Sequence, residues 1–181
     1  AGIPAEFTTL SERLSAANWS CHQIGKWHCG FSSPNLTPQG RGFATSLGFF
    51  SAEEDHYSQI TLGGSRADAE TCYTELGGHP AVDFWRTDRP ASDLNGTDYS
   101  GVIYSREAMR LVLEHDVSRK FLLYVAFQNN HVPLQVPPSY ISRFEVQAAR
   151  EGWAPPPSRA LAPARTHARP PRDSLSQTKA E

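Results

Sequence analysis

The stretch that most restricts the fold of this chain is an unbroken apolar run, FLLYVAF, at residues 121–127. The run has no alternation of polar and apolar positions, and it is too short for a membrane-spanning helix. A continuous apolar run of this length is typical of a strand buried on both faces of a parallel sheet. The sequence therefore predicts a parallel sheet, whose strands need long crossover connections that usually contain helices.

Two helices and a second strand are predicted before this run. Thr9 and Glu12 have the spacing of a capping box, and apolar residues then recur at helical spacing, which predicts a first helix. A strand is predicted over residues 20–28, and a second helix over about 101–114. The expected apolar face of that helix consists of Val102, Ala108, Met109, Val112 and Leu113. The order helix, strand, helix, strand is an α/β pattern.

The chain divides into two parts at about residue 148. Residues 1–147 have the pattern of a folded domain, with polar, glycine-rich loops and a short strand pair near residues 72–85. Residues 148–181 contain six prolines, six basic residues and three acidic residues, and they have no periodic apolar pattern. Such a segment buries too little apolar surface to offset the entropy of ordering, so a disordered or polyproline-like tail is predicted.

Charge and length argue against two function classes. The formal net charge of −2 at pH 7 argues against an electrostatic nucleic-acid binder, and no apolar run is long enough to span a membrane. The chain begins at Ala1 without a visible signal peptide, so its start is expected to be a cut within a longer protein. Cys21, Cys29 and Cys72 are an odd number, so at least one thiol is expected to be unpaired or to pair outside this chain.

The run GKWHCG at residues 25–30 carries the first candidate functional residues. In an extended stretch, positions i and i+2 point to the same side, so Lys26 and His28 are predicted to face one site. An ammonium group supplies compact positive charge, and an imidazole exchanges a proton near neutral pH. The pair therefore suits a tetrahedral oxyanion, and the flanking glycines allow the backbone to turn or to approach a ligand closely.

A third candidate, His131, follows the apolar run. Lys26 lies near the end of the first predicted strand, and His131 lies four residues past Phe127. In open α/β sheets, ligands bind beyond the carboxyl ends of the strands. The three basic side chains are therefore expected to converge on one anion site.

Several motifs, in order and at similar spacing, resemble the type I sulfatase family, most closely its arylsulfatase B (N-acetylgalactosamine-4-sulfatase) branch. These motifs are GKWHxG at 25–30, RGF at 41–43, FLLYVAFQ at 121–128 and HxPLQxP at 131–137. Shorter matches, GIP and TTL, precede them at residues 2–4 and 8–10. The resemblance implies a fragment of an alkaline-phosphatase-like α/β/α sandwich with a mostly parallel central sheet.

The same resemblance implies a sulfuric ester hydrolase and gives three residues roles in its site. Lys26 corresponds to a lysine that contacts the sulfate, and His28 to a histidine that hydrogen-bonds a hydrated formylglycine nucleophile. His131 corresponds to a histidine that binds sulfate and assists proton delivery to the leaving group. The implied partner is a sulfated small molecule or glycan, and the implied location is the secretory pathway, lysosomal or extracellular.

The resemblance also implies two cofactors, Ca²⁺ and formylglycine, whose residues are missing from this chain. The family makes formylglycine from the cysteine of a Cys-x-Pro-Ser-Arg motif, and no cysteine here has that context. The run PPPSRA at residues 155–160 is similar, but Pro155 replaces the cysteine and the run follows the Lys26 segment, so the match is interpreted as chance. The family's calcium ligands, an early aspartate pair and a late Asp-Asn pair, are also absent. No metal ligand is therefore assigned, and the chain alone is expected to be inactive.

Two alternatives remain open at this point. The same tetrahedral-anion chemistry fits a phosphate or phosphonate ester hydrolase of the same superfamily, since the nucleophile that would distinguish the two is not in the chain. A non-enzymatic interpretation, an inactive fragment or pseudoenzyme, also fits the missing residues.

Three Asn-x-Ser/Thr sequons, at Asn18, Asn35 and Asn95, are candidate N-glycosylation sites and agree with a secretory location. The remaining histidines, His56 among them, are interpreted as structural. The acidic run EED at residues 53–55 is interpreted as a solvated face of a loop rather than as a metal site.

Overall fold

The structure of the protein is a computed structural model, which describes residues 2–61 and 81–152. Three α-helices lie within these residues: α1, Leu10–Ala16; α2, Ser100–Leu113; and α3, Pro138–Arg150. Five strands lie there as well: β1, Trp19–Lys26; β2, Thr45–Phe49; β3, Trp85–Arg86; β4, Arg89–Pro90; and β5, Lys120–Ala126. Two short 3-10 turns, Pro34–Leu36 and Gln39–Arg41, connect β1 to β2.

The strands form one five-stranded sheet in the order β4-β3-β2-β1-β5. Strand β1 pairs in parallel with β2 on one side and with β5 on the other. Strands β3 and β4 form a short antiparallel hairpin that extends the sheet beyond β2. The sheet is therefore mostly parallel, which confirms the predicted α/β fold class.

Two apolar clusters cover the faces of the sheet. The first packs against α2 and consists of Ile24, Leu47, Phe49, Phe84, Ala91, Ile103, Tyr104 and Leu111. The second consists of Cys21, Trp27, Phe43 and Phe50, with Leu14 of α1 packed against it. Cys21 and Ile24 are an odd number of positions apart on β1 and belong to different clusters. The clusters, and with them α1 and α2, therefore lie on opposite faces of the sheet.

Helix α1 begins where the capping pattern predicts. Thr9 Oγ1 accepts a hydrogen bond from the backbone N–H of Glu12 at 3.3 Å, and the Glu12 carboxylate accepts one from the backbone N–H of Thr9 at 2.6 Å. The two bonds satisfy N–H groups that the start of a helix leaves without partners. The predicted capping box is therefore confirmed.

The apolar run at residues 121–127 forms most of β5, which confirms the predicted strand and its parallel pairing. The strand is less buried than predicted: no residue of Lys120–Ala126 is fully buried, and Tyr124 is 49% exposed. The reason is that β5 lies at the edge of the described sheet and has a neighbouring strand on one side only.

Helix α2 covers the predicted range within one residue at each end, but only part of its predicted apolar face is correct: Ala108 packs against the first cluster. Met109, Val112 and Leu113 are exposed. The buried residues are Ser100, Ile103, Tyr104 and Leu111. Tyr104 brings a large ring to the core, and hydrogen bonds beneath the helix satisfy its hydroxyl group and that of Ser100. A mixed face therefore packs on the sheet.

Several sequence-based expectations fall at or beyond the limits of the described residues. Helix α3 was not among the predicted elements. The predicted boundary between residues 1–147 and 148–181 falls within the last turn of this helix, and the division into two parts stays a prediction. The predicted strand pair near residues 72–85 lies largely outside the described residues, and the described hairpin begins at Trp85. The part of the predicted tail beyond residue 152 also lies outside them. None of the described helices is long and apolar enough to cross a membrane.

Candidate functional site

The carboxyl ends of three parallel strands meet at one edge of the sheet. Lys26, the last residue of β1, is in register with Phe49, the last residue of β2. Gly25 is in register with Ala126, the last residue of β5. The loops that follow these strands therefore leave the sheet side by side, as predicted for a ligand-binding edge.

Two glycines allow this edge to pack closely. Gly25 has a φ of 91°, and a Cβ atom there would lie 2.0 Å from the carbonyl oxygen of Ala126. A Cβ atom on Gly48 would lie 1.9 Å from the carbonyl oxygen of Gly25. Both distances are far below a possible contact between carbon and oxygen, so only glycine fits at either position.

Trp27 anchors the turn that carries Lys26 and His28. Its side chain is 8% exposed, and its indole N–H lies 2.9 Å from each of two carbonyl oxygens, those of Gly30 and Leu36. Its backbone N–H donates to the carbonyl of Phe49 at 2.9 Å. The indole therefore closes the turn between Lys26 and Gly30 and ties it to the loop before β2.

The predicted alternation does not extend to His28. Strand β1 ends at Lys26, and His28 has a φ of 48°, in the left-handed region. Lys26 is half-buried, whereas His28 is exposed. Because the backbone is no longer extended at His28, strand alternation does not support a shared side for the two residues, and their facing one site stays a prediction; both lie at the same edge of the sheet.

His131 lies in the loop after β5 and reaches the loop after β2. Its backbone N–H donates to the carbonyl of Gln128 at 2.8 Å, which forms a turn. Its side chain is 48% exposed, and Nδ1 lies 2.9 Å from the carbonyl oxygen of Val132 and 3.7 Å from a carboxylate oxygen of Glu53. A protonated His131 can therefore pair with Glu53. Among the described residues, no hydrogen bond or ion pair joins Lys26 or His28 to His131.

Glu54, the neighbour of Glu53, is fully buried, so the interpretation of residues 53–55 as a solvated acidic face is wrong for Glu54. Its relative exposure is 0%. Hydroxyl groups of Ser100 and Tyr104, both on α2, lie 3.1 and 2.9 Å from its Oε1 atom. Burial raises the pKa of Glu54 to about 8. Periodicity could not predict this burial, because it depends on how the loop meets α2.

Two glutamines, which the resemblance included but to which no role was assigned, tie the loops together. Gln128 Nε2 donates to the backbone carbonyl of Glu54 at 2.6 Å. Gln135 accepts a hydrogen bond from the backbone N–H of His56 at 2.8 Å and donates to Asp55 at 2.6 Å. The FLLYVAFQ and HxPLQxP motifs therefore contain the residues that hold the loop after β2 against the loop after β5.

His56 has a structural environment, in agreement with its interpretation. It is 1% exposed and its ring stacks on Tyr99, with 5.2 Å between ring centroids and 8° between planes. Burial lowers the pKa of His56, so the neutral imidazole is favoured. His56 Nε2 lies 3.2 Å from Gln128 Nε2. The side chain belongs to the packing beneath the candidate site.

The RGF motif at residues 41–43 is structural. Arg41 is buried, and its guanidinium group donates to the carbonyls of Ala5 and Phe7 and lies 3.6 Å from the Glu12 carboxylate. Gly42 has a φ of 89°, and a Cβ atom there would lie 2.6 Å from the backbone nitrogen of Glu12. The motif therefore joins the N-terminal segment and α1 to the loop before β2.

The described residues do not fit a calcium site or a formylglycine precursor. Among residues 2–61 and 81–152, no three His, Cys, Asp or Glu side chains lie together in a way that could hold a metal ion. Cys21 is buried within β1 and Cys29 is half-buried beside His28, and burial raises the pKa of both thiols. Neither cysteine stands in a Cys-x-Pro-Ser-Arg sequence. Cys72 lies outside the described residues.

The three sequons differ in their surroundings. Asn35 is exposed on the turn Pro34–Leu36, and its side chain has no hydrogen bond to a described residue. Asn18 is exposed, and its side-chain oxygen accepts a hydrogen bond from Arg119 at 3.2 Å. Asn95 is half-buried, and its side-chain nitrogen donates to the carbonyl of Ser58 at 2.5 Å. A glycan on Asn95 would compete with that bond.

A cavity of about 570 Å³ lies at the opposite edge of the sheet, where β2 begins. Thr45, Arg86, Glu107 and Arg110 are among its lining residues. Two of its arginines are already neutralised, since Arg86 pairs with Asp93 and Arg110 with Glu107. This cavity includes none of the predicted site residues.

The mostly parallel sheet, with helices on both faces and polar loops at the carboxyl edge, places this protein in the α/β class. A family model described as Sulfatase matches residues 1–163. The chain therefore belongs to the sulfatase family.

Similar proteins are arylsulfatases that are much longer than this chain. Arylsulfatase J of Mus musculus is 30% identical over 142 residues, which are 78% of this chain and 22% of that protein. An arylsulfatase of Klebsiella aerogenes is 29% identical over 149 residues, 81% of this chain and 29% of that protein. The chain thus spans less than a third of the length of these relatives.

A solved structure shares the fold. The protein Ps i-CgsB, crystallised in complex with k-i-k-neocarrahexaose, has a TM-score of 0.64 and 23% sequence identity with this chain. The match covers 80% of this chain and 31% of that one. At this identity the likeness supports the fold alone.

Proposed function

We propose that the complete protein hydrolyses sulfate esters and that this chain contributes part of its anion-binding site, through Lys26, His28 and His131. The observation that carries the proposal is the carboxyl edge of the sheet. There, within a chain of the sulfatase family, Lys26 ends β1, and the turn with His28 and the loop with His131 leave the sheet from neighbouring strands. The finer assignment to the arylsulfatase B branch stays a prediction.

The chemistry of the three side chains suits a sulfate ester. The Lys26 ammonium group would neutralise charge on the sulfate oxygens, and preorganised electrostatic stabilisation of this kind usually contributes more to catalysis than any other single effect. His131 would bind the sulfate and deliver a proton to the leaving oxygen, which is worth roughly 10²–10⁴-fold in rate. Glu53, 3.7 Å from His131 Nδ1, would stabilise the protonated imidazole. His28 would hydrogen-bond the nucleophile.

Calcium and formylglycine are family cofactors that we propose for the complete protein. The described donor set does not fit either of them, so no residue of this chain is assigned to them and no step is derived through them. For the same reason we propose that the chain alone does not turn over sulfate esters.

The substrate class and the location are proposed by analogy with relatives. A sulfated small molecule or glycan fits the proposed site, and one structural relative was crystallised with k-i-k-neocarrahexaose. A lysosomal or extracellular location fits the three sequons, and only Asn95 uses the side-chain nitrogen that would carry a glycan in a described hydrogen bond, because Asn18 accepts its bond through the side-chain oxygen.

Substitution of Lys26 or His131 by alanine tests the proposal in a polypeptide that carries the whole sulfatase domain. We expect each variant to lower kcat/KM for an aromatic sulfate ester by at least about 10²-fold, because each removes charge or a proton donor at the reacting group. Lys120→Ala and His115→Ala, near the opposite ends of the strands, are matched controls that should keep the rate. Near-normal rates for both site variants would contradict the assignment.

A parallel assay with an aromatic phosphate ester separates the proposal from its main alternative. The sulfatase proposal expects the sulfate ester to be the better substrate of the unsubstituted protein. Faster turnover of the phosphate ester, with the same loss in the Lys26 and His131 variants, would favour a phosphate ester hydrolase with the same anion site.

A further inference from the structure

A buried carboxyl group lies directly beneath the candidate site. Glu54 follows Glu53 in the loop at residues 50–61 and has no exposed surface. Carboxylates are rarely buried without a partner, because removing the charge from water is costly. No basic side chain pairs with this group among the described residues, so its burial requires another explanation.

The hydrogen bonds of the Glu54 side chain reach only one of its two carboxyl oxygens. Ser100 and Tyr104 place hydroxyl groups 3.1 and 2.9 Å from Oε1. Oε2 is buried and has no hydrogen-bond partner among the described residues. In the ionised form Oε2 would share a buried negative charge with no donor to stabilise it, whereas in the protonated form it is a neutral hydroxyl group, and an unpartnered neutral group costs less to bury than an unpartnered charge. The one-sided arrangement therefore suits the protonated form.

Burial is the largest effect on the pKa of Glu54 and raises it, whereas the hydrogen bonds from Tyr104 and Ser100 of α2 lower it. Burial raises the pKa of Glu54 to about 8, and Asp55 in its own loop and Asp83 before β3 add to the rise because they repel a negative charge. Tyr104 of α2 stays a neutral donor, because burial raises its pKa well above the usual value. His56 adds no fixed positive charge, since burial lowers its pKa.

Glu54 also connects the two loops of the candidate site. Its side chain contacts α2, and its backbone carbonyl accepts a hydrogen bond from Gln128 Nε2 at 2.6 Å. Gln128 lies just after β5, and its backbone carbonyl accepts a hydrogen bond from His131 at 2.8 Å. The preceding residue, Glu53, lies beside the His131 imidazole. A shift of Glu54 would therefore move both partners of the Glu53–His131 pair.

We propose that Glu54 is a positioning residue whose uncharged carboxyl group docks the loop at residues 50–61 onto α2 and thereby holds Glu53 beside His131. This inference rests on the proposed function only for the role of His131, because the docking itself involves no sulfate. Ionisation of Glu54 would leave a buried charge without a partner, and the loop would have to leave α2 to hydrate it. The loop is therefore docked at neutral and acidic pH and loosened at alkaline pH.

The pH dependence of unfolding tests the protonation state. A carboxyl group whose pKa is raised in the folded state binds a proton there that the unfolded chain releases, so stability falls as pH rises from the ordinary carboxyl pKa of about 4.5 to about 8. Urea midpoints of the 181-residue chain are measured from pH 4.5 to 9. The wild-type midpoint should fall over this range relative to that of Glu54→Gln, which cannot ionise, and the difference should level off above about pH 8.

A matched variant controls for the loss of one acidic group. Glu145→Gln removes an exposed glutamate of α3 and should keep the wild-type pH dependence. A difference between wild type and Glu54→Gln that stays constant with pH would overturn the proposal. Should Glu54→Gln fail to fold, ¹³C NMR titration of the Glu54 carboxyl group in the wild-type chain decides instead. A midpoint near 8 supports a neutral acid, and a midpoint near 4.5 overturns it.

Amide hydrogen exchange tests the positioning role, because a purely local role of Glu54 would leave the protection of the second loop, residues 127–135, unchanged. At pH 7, Glu54→Ala should lower protection in both loops, residues 50–61 and 127–135, and leave β1 unchanged. Glu54→Gln should restore protection of both loops. Loss of protection confined to residues 50–61 would overturn the connection to His131.

The outcomes are distinguishable from those that test the proposed function. Neither unfolding nor hydrogen exchange involves a sulfate ester. If the Glu54 results are as expected while the Lys26 and His131 variants remain active, the docking of the loop stands and the assignment of the site fails. If the Glu54 results contradict the expectation while the Lys26 and His131 variants lose activity, the assignment of the site stands and the docking role of Glu54 fails.

Discussion

At the residue scale, Gly25 and Gly48 set how closely the strands approach at the candidate site. Gly25→Ala would place a methyl group 2.0 Å from the Ala126 carbonyl oxygen at a φ of 91°. We expect the free energy of unfolding to fall by roughly 3 kcal/mol or more, since backbone strain and overpacking add. Urea unfolding measures the change.

Gly96→Ala is the matched control for that prediction. Gly96 also has a positive φ, 69°, but a Cβ atom there would contact nothing within 4 Å. Its substitution should cost only the backbone strain, about 1–2 kcal/mol. Equal losses in the two variants would mean that Gly25 is required for its φ alone and that the strand ends do not pack as closely as described.

Single residues also mark the limit of what the sequence predicts. Glycine flanking Lys26 was predicted to allow a close approach, and the approach is made by the Ala126 carbonyl rather than by a ligand. His28 was predicted to share a side with Lys26, but its left-handed backbone ends the alternation. The burial of Glu54 had no sequence signal, because it depends on contacts with residues about fifty positions away.

At the element scale, local signals predicted what local interactions determine. The capping box of α1 and the strand β5 follow from short-range rules of hydrogen bonding and apolar pattern, and both are confirmed. The buried face of α2 is decided by tertiary packing, and Met109, Val112 and Leu113 of the predicted apolar face remain exposed. A hydrophobic pattern therefore located this helix but did not orient it.

The cap of α1 gives a prediction at this scale. Thr9 accepts the Glu12 N–H, and its hydroxyl group also lies 3.1 Å from the Arg41 carbonyl oxygen. Thr9→Ala should lower the free energy of unfolding by about 1 kcal/mol, because a helix donor loses its partner. Thr8→Ala, one residue earlier and exposed, should change it by less than about 0.5 kcal/mol. Equal midpoints in urea for Thr9→Ala and the wild type would contradict the role of the cap.

At the scale of the whole molecule, the chain is a connected part of a sulfatase fold. Its parallel strands bring residues about a hundred positions apart to one edge, where Lys26 at the end of β1 and His131 after β5 are proposed to act together. The sequence predicted a mostly parallel sheet but not the order of its strands, since pairing partners depend on long-range contacts. The sequence patterns and the family resemblance together predicted which loops would carry the site, which stays a prediction, and the structure adds the hydrogen bonds that connect two of these loops.

The proposed sharing of one anion site by Lys26 and His131 is tested most directly by a crystal structure of the complete sulfatase domain with sulfate bound. We expect one sulfate ion at the carboxyl edge, with Lys26 Nζ and a ring nitrogen of His131 each within about 3 Å of its oxygens. A sulfate ion held by other residues, with Lys26 and His131 in separate surroundings, would contradict the shared site.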